Sequence, residues 1–148
     1  MKYQSTKTFT HASGISACFR QWKAKSHCHF LHGYALQIRI EFEAEKLDER
    51  NWVVDFGGLK PIKKWIEDHF DHKTIAASDD PKLPLFVEMH QAGLLDLVIV
   101  EAVGCEKFAE LIFKKAKDFI AHSEYDGRVQ VSRVEVSEHE GNSAIVSR

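Results

Sequence analysis

The feature that most constrains the fold of this chain is a strict alternation of apolar and polar residues from Tyr34 to Glu45. In a β-strand, successive side chains point to opposite faces of the sheet, so this period of two predicts a strand with one buried face. The residues expected on that face are Leu36, Ile38, Ile40, Phe42 and Ala44. A strand with one apolar and one polar face is typical of an antiparallel sheet.

Apolar residues recur at three- and four-residue spacing in two other segments, which predicts two long helices. The first covers residues 59–70 and has Pro61 in its first turn, where the missing N–H costs nothing. The second covers residues 105–120. A shorter helix is predicted at residues 84–92.

The remaining segments predict shorter strands and one connection. We expect strands at 51–56, 95–100, 128–137 and 144–146, with a one-residue bulge in the third, and a polar connection at 71–83. Strands at both ends of the chain and helices in the middle predict an α+β fold, with the helices on one face of a sheet that is antiparallel throughout. A parallel Rossmann-like sheet is disfavoured.

Size and charge limit the classes of function. The chain has 148 residues, which fits one domain over residues 1–148. Its 22 acidic and 20 basic residues form no long block of one sign, which argues against nucleic acid or an anionic membrane and favours a small-molecule partner. The long edges of a small open sheet favour a homo-oligomer.

The location of the protein is predicted from its apolar segments and its cysteines. No apolar run approaches the roughly 20 residues that span a bilayer, and the N-terminal MKYQSTKTF has no apolar leader. Three cysteines without a CxxC pair indicate free thiols. We therefore expect a cytoplasmic protein.

A cluster of histidines marks the first candidate site. Nine histidines are present, and four of them are His11, His27, His29 and His32. Imidazole is both a proton carrier at neutral pH and the commonest metal ligand. Cys28, His32 and Tyr34 would share one face if the strand extended back to residue 28. For each residue alone, a hydrogen-bonded surface histidine or a small buried thiol is the ordinary alternative.

Four further residues could carry chemistry. In the pair Asp71–His72 the carboxylate could fix the tautomer of the imidazole, although such pairs also occur in solvated turns. Glu138, at the end of the last long strand, could accept two parallel N–H bonds from the edge of a guanidine-like ring. Glu106, in the first turn of the second long helix, is a further candidate, although an acid there also favours the helix dipole.

Taken in order, these segments resemble the 6-pyruvoyl and 6-carboxytetrahydropterin synthase family of small α+β enzymes with the tunnelling fold. The resemblance extends from about residue 8 to residue 146. The motifs that carry it are FTHAS or ISACFR, CHFLHGY, DFGGLK, DHKTI, GCEKFA and VSEHEGNSAIV. The most specific of them are the Cys-x3-His-Gly at residues 28–33, DFGGLK at 55–60 and the Asp–His pair that follows.

The resemblance implies a lyase that acts on 7,8-dihydroneopterin triphosphate. By the family pattern Cys28 takes a proton from the substrate's side chain, and His72, oriented by Asp71, shuttles protons. Glu138 would hold the pterin edge, with Glu106 as a second substrate-binding residue. The resemblance also implies a trimer or a dimer of trimers, with active sites between subunits.

The product that we expect is 6-carboxy-5,6,7,8-tetrahydropterin, on the route to 7-deazaguanines such as queuosine. Two alternatives stay open. One is a 6-pyruvoyltetrahydropterin synthase, and the other is a non-catalytic paralogue that binds a pterin.

The resemblance further implies a zinc ion held by three histidines, but only His32 is carried over directly. Tyr34 stands where the family has a second histidine after the glycine. For the remaining histidine, FTHAS offers His11, whereas ISACFR puts Phe19 at the ligand position. Because catalytic zinc needs three protein ligands, we expect His11, His32 and His27, with His29 or Tyr34 as alternatives to His27. Loss of the metal is the other possibility.

Overall fold

The computed structural model describes residues 1–10 and 14–148. The elements within these residues are β1 (Tyr3–Phe9), β2 (Ile15–Phe19), β3 (His32–Ala44), α1 (Lys60–Phe70), β4 (Lys73–Ala77), α2 (Leu83–Gln91), β5 (Leu97–Val100), α3 (Cys105–Ala121), β6 (Val129–His139) and β7 (Asn142–Ser147). Short 3-10 helices lie at His27–His29 and Phe56–Leu59.

Strand β3 is the centre of the sheet, and the strand predicted from the alternating pattern is confirmed. The strand order is β5-β4-β2-β3-β6-β7. One edge of β3 is shared by two strands: β2 pairs with residues 32–36 of β3, and β1 pairs with residues 38–44. All five residues predicted on the buried face of β3 are at most 4% exposed. The core therefore lies against this face.

The bulge predicted in the last long strand is confirmed. Arg133 of β6 pairs with Glu41 of β3, whereas Val131 pairs with the next residue, Phe42, so Ser132 is the extra residue. The insertion shifts the alternation by one residue. Val131 and Val134 are therefore both buried.

The α+β class and the predicted helices are confirmed. Helices α1 and α3 meet through the rings of Phe70 and Phe108, whose centroids are 5.4 Å apart. Helix α2 lies within one residue of its predicted bounds. No helix among the described residues is long and apolar enough to cross a membrane.

The prediction of a polar connection at 71–83 is wrong, and so is that of a sheet antiparallel throughout. Residues Lys73–Ala77 form β4, which pairs in parallel with both β2 and β5. Four consecutive residues of β4, from Thr74 to Ala77, are buried. A strand buried on both faces shows no alternation, and this short one has polar neighbours, so its sequence resembled a loop.

The strand predicted at 51–56 is also wrong. The segment is irregular before the 3-10 helix, and Val53 and Val54 are both buried, which excludes an alternating strand. The guanidinium of Arg128 donates to the carbonyl oxygens of Trp52 (3.2 Å) and Val53 (2.8 Å). Side-chain donors thus take the place of a neighbouring strand.

Candidate active site

The candidate site lies at the start of β3, on the face of the sheet that carries the core. Phe19 of β2 pairs directly with His32 of β3, and Ala17 pairs with Tyr34. Paired residues on antiparallel strands point to the same face, so Phe19, His32 and Tyr34 project together. Phe19 is 4% exposed, and the other two are half-buried.

Aromatic contacts hold these side chains together. The rings of Phe19 and Tyr34 are stacked, with centroids 4.2 Å apart and an interplanar angle of 13°. The His32 ring lies 4.5 Å from that of Tyr34. On the other side, Phe19 meets the edge of Phe108 of α3 at 4.9 Å. The site is thereby anchored to the helix layer.

The ring of His32 has one nitrogen engaged. Its Nδ1 lies 2.8 Å from the carbonyl oxygen of Phe30. Since a carbonyl oxygen can only accept, this contact assigns the proton to Nδ1 and, in the neutral ring, leaves a lone pair on Nε2. His32 can therefore act as a hydrogen-bond acceptor, a base or a metal ligand through Nε2.

Cys28 reaches the site from the 3-10 helix His27–His29 rather than from β3. The shared face of Cys28, His32 and Tyr34 depended on β3 extending back to residue 28, and this condition is not met, because the strand begins at His32. The Cys28 N–H is capped by the Ser26 hydroxyl at 3.4 Å, and the Cys28 carbonyl accepts from the Gln21 N–H at 3.0 Å. The thiol is thus positioned by a turn.

Glu138 projects from β6 towards the same region. Glu138 alternates in step with Val134 and Val136 along β6, so its side chain points to the same face of the sheet as these two buried valines. The side-chain amide of Asn142, across the hairpin to β7, donates to Oε1 at 2.8 Å. This bond orients the carboxylate, whose remaining lone pairs can accept donors from a ligand.

Several of these groups affect the pKa of Tyr34. Burial raises the pKa of Tyr34 to about 12, with further contributions from the negative charges of Glu138, Cys28, Cys105 and Cys18. Burial, Glu138 and Glu106 raise the pKa of Cys105 to about 11.

The sequence reasoning missed one member of this cluster, Cys105. Cys18 alternates with Ala17 and Phe19 along β2, so its side chain lies on the opposite face of the sheet from Tyr34. Burial also raises the pKa of the Cys18 thiol, against the lowering effect of its hydrogen bond with Thr74. Cys105 begins α3 and Glu106 follows it as an exposed residue of the first turn. The position of Cys105 at a helix start was visible in the sequence, but its proximity to β3 was not.

Asp71 and His72 lie apart from this cluster. The Oδ1 of Asp71 is 3.1 Å from His72 Nδ1 and accepts from the Ser16 N–H at 3.1 Å, so the expected pairing is present. Ser16 is three residues from Phe19 along β2, a distance of roughly 10 Å. The His72 side chain is 83% exposed. Within one chain, His72 is therefore directed to solvent.

The described residues do not fit a zinc centre with three histidines. Among residues 1–10 and 14–148, no three His, Cys, Asp or Glu side chains are placed to hold a metal ion. His27 is exposed, and His29 Nδ1 is held by the Ser26 carbonyl. His11 lies outside the described residues.

Comparisons with known proteins agree on one family. The model of the family described as 6-pyruvoyl tetrahydropterin synthase matches residues 8–148. A 6-carboxy-5,6,7,8-tetrahydropterin synthase of Rickettsia felis is 40% identical over 62 residues, covering 41% of this chain and 45% of the relative. The match thus spans less than half of that relative. A protein of the same name from Aquifex aeolicus is 24% identical, covering 90% of this chain and 91% of the relative.

Solved structures show the same fold over the full chain. An uncharacterized protein from Wolinella succinogenes has a TM-score of 0.86 at 22% identity, covering 100% of this chain and 99% of its own. The 6-pyruvoyl tetrahydropterin synthase of Plasmodium vivax has a TM-score of 0.68 at 16% identity, covering 99% and 98%. At these identities the likeness establishes the fold alone.

Proposed function

Because the chain belongs to the 6-pyruvoyl tetrahydropterin synthase family, we propose that it is a lyase acting on 7,8-dihydroneopterin triphosphate. The proposed product is 6-carboxy-5,6,7,8-tetrahydropterin, with release of acetaldehyde and triphosphate, in 7-deazaguanine and queuosine biosynthesis. Both curated relatives described above carry that product in their names. The observation that carries the proposal is the position of Glu138, which has the parity of the buried Val134 and Val136 on β6 and whose carboxylate is oriented by Asn142. Glu138 and Cys28 also both contribute to the raised pKa of Tyr34.

Glu138 is the proposed pterin-binding residue. A carboxylate can accept two parallel N–H bonds from the 2-amino group and N3–H of a pterin. The bond from Asn142 to Oε1 holds the group in place before the ligand arrives. Glu106, one residue from the half-buried Cys105, is proposed as a secondary contact to substrate.

Cys28 and His72 are the proposed proton-transfer residues. Cys28 takes a proton from the substrate's side chain, and His72, held by Asp71 at 3.1 Å, moves protons on the opposite side of the ring. Since His72 of one chain is turned to solvent away from Cys28, we propose that a neighbouring copy supplies Asp71 and His72. The assembly would be a trimer or a dimer of trimers, in the cytoplasm.

Zinc bound by His32, His11 and His27 is what the resemblance implies, and the proposed function does not depend on it. The described residues offer the Nε2 lone pair of His32 but do not bring a second and third ligand to it. We therefore assign no step of the reaction to a metal ion.

The activity is tested by incubating the purified protein with 7,8-dihydroneopterin triphosphate and identifying the pterin product by mass spectrometry. We expect a product that has lost two side-chain carbons as acetaldehyde. Cys28→Ala should abolish turnover with little change in pterin binding, whereas Glu138→Ala should weaken binding first. Glu140→Ala, in the exposed turn after β6, is the matched control for Glu138. Retention of the full side chain would instead identify a 6-pyruvoyltetrahydropterin synthase.

The shared site is tested by mixing two inactive variants. Cys28→Ala and His72→Ala chains, unfolded together and refolded as mixed oligomers, should regain part of the activity, because some sites then combine an intact Cys28 with an intact His72. Mixed oligomers that stay inactive would exclude a site shared between copies.

A non-catalytic pterin-binding protein is the second candidate function. The observation that favours it is the stack of Phe19 on Tyr34 in place of metal-binding side chains. Tight pterin binding without any product, with and without added zinc, would support this candidate over the lyase.

A further inference from the structure

Phe19 and Tyr34 occupy two of the three positions where the resemblance places zinc-binding histidines. The sequence left two registers open for the first of these positions, one with His11 and one with Phe19. The pairing of β2 with β3 puts Phe19 directly opposite His32. The alignment that uses ISACFR therefore places its ligand position, Phe19, beside His32 in the described part of the site.

The two side chains form a closed contact with each other. Their rings stack at 4.2 Å, and Phe108 meets the free side of the cluster at 4.9 Å from Phe19. Zinc is bound by imidazole, thiolate or carboxylate groups, and a phenyl ring offers none of these. The stacked rings of Phe19 and Tyr34 therefore occupy two zinc-ligand positions of the family with side chains that pack against each other and do not bind zinc.

His32 is the remaining member, and its neighbours suit a role without metal. Its Nδ1 is fixed on the Phe30 carbonyl at 2.8 Å, and its ring lies 4.5 Å from that of Tyr34. Both contacts hold the ring in one orientation. The lone pair on Nε2 is thus presented at a defined point beside Tyr34.

We infer that the Phe19–Tyr34 stack replaces the zinc centre, and that His32 contacts the ligand directly, through Nε2, as a hydrogen-bond acceptor for a hydroxyl or N–H group of a pterin. The first part rests on the family register used for the proposed function, and the second part on that function itself. The two parts are measured separately from turnover.

Zinc content tests the first part. The wild-type protein, incubated with excess zinc and then desalted, should carry far less than one zinc per chain by elemental analysis. The double variant Phe19→His/Tyr34→His should approach one zinc per chain, since three imidazoles then face one another. The matched control Phe19→Leu/Tyr34→Phe should stay free of zinc. Circular dichroism establishes that each variant folds, and Tyr34→His alone should already bind zinc more tightly than wild type.

Two results would overturn the first part. One is a wild-type protein with about one zinc per chain that is lost in both His32→Ala and His11→Ala, which would establish the alternative ligand set. The other is a folded double variant that takes up no more zinc than wild type. This result would show that histidines at positions 19, 32 and 34 are not placed to bind one zinc ion together.

Neopterin binding tests the second part. One hydrogen bond contributes about 0.5–1.5 kcal/mol, so His32→Ala should weaken neopterin binding about 2- to 12-fold, measured by fluorescence titration. The loss should be the same with and without a chelator. A loss that disappears in chelator would show that His32 acts through a metal. If wild type does not bind neopterin, the proposed function and the role of His32 both fail, whereas the zinc measurement still decides the first part.

Discussion

Arg20 and Asp80 form a two-pronged ion pair that ties β2 to the turn before α2. Arg20 Nε lies 2.8 Å from Asp80 Oδ2, and Arg20 Nη2 lies 2.7 Å from Asp80 Oδ1. The Asp80 side chain is 1% exposed and that of Arg20 is 19% exposed. Arg20 Nη1 also donates to the carbonyl oxygen of His29 at 3.2 Å. The same guanidinium therefore supports the turn that carries Cys28.

Asp80→Asn should lower the free energy of unfolding by about 3 kcal/mol, because it leaves the charge of Arg20 without its partner in a largely buried place. Asparagine keeps the oxygen that accepts from the Lys82 N–H at 2.8 Å, so the change tests the ion pair rather than the start of α2. Urea unfolding measures the effect. Asp126→Asn, at an exposed position, is the control and should change stability by less than about 0.5 kcal/mol.

Acid should remove the contribution of this pair. The hydrogen bond from Arg20 lowers the pKa of Asp80 below its ordinary value, so the folded state binds the proton less well than the unfolded state. The stabilisation is complete above the unfolded pKa of about 3.9 and is lost as the pH falls through the folded value. The difference in the free energy of unfolding between wild type and Asp80→Asn should therefore be constant near neutral pH and should shrink as the pH falls below about 3.9. A difference in the free energy of unfolding that stays the same at every pH would contradict a stabilising role for the charged Asp80.

Phe19→Ala should destabilise the fold by about 3–5 kcal/mol, because it empties a buried position between Tyr34 and Phe108. Phe30→Ala is the matched control, since Phe30 is 62% exposed and should cost far less. Thermal or urea unfolding compares the two. Equal losses would mean that the stack contributes nothing specific to stability.

Glu138→Gln should lower the pKa of Cys105, because the carboxylate is one of the charges that raise it to about 11. A lower pKa gives more thiolate at a given pH. The Cys105 thiol of the variant should therefore react faster with iodoacetamide at mildly alkaline pH, measured by mass spectrometry of the Cys105 peptide. Glu140→Gln should leave the rate unchanged. No difference between wild type and Glu138→Gln would place Glu138 too far from Cys105 for the proposed site.

The strong periodic signals in the sequence predicted most of the elements correctly. The period of two in β3 and the helical periods of α1 and α3 arise because each element buries one face, and a buried face leaves a pattern in its own residues. The bulge at Ser132 was visible for the same reason, since it shifts that pattern. The motifs around Cys28, Asp71 and Glu138 were local as well, and they were sufficient to indicate the family.

Only the tertiary structure decided how those segments meet. Strand β4 is buried on both faces, so it left no alternation and was taken for a loop. The parallel pairing of β4, the placing of Phe19 against Tyr34 and the approach of Cys105 to Glu138 all join residues far apart in the chain. A sequence determines a local period through the burial of one face. Which distant faces pack together depends on the packing energy of the whole core, which no single segment displays.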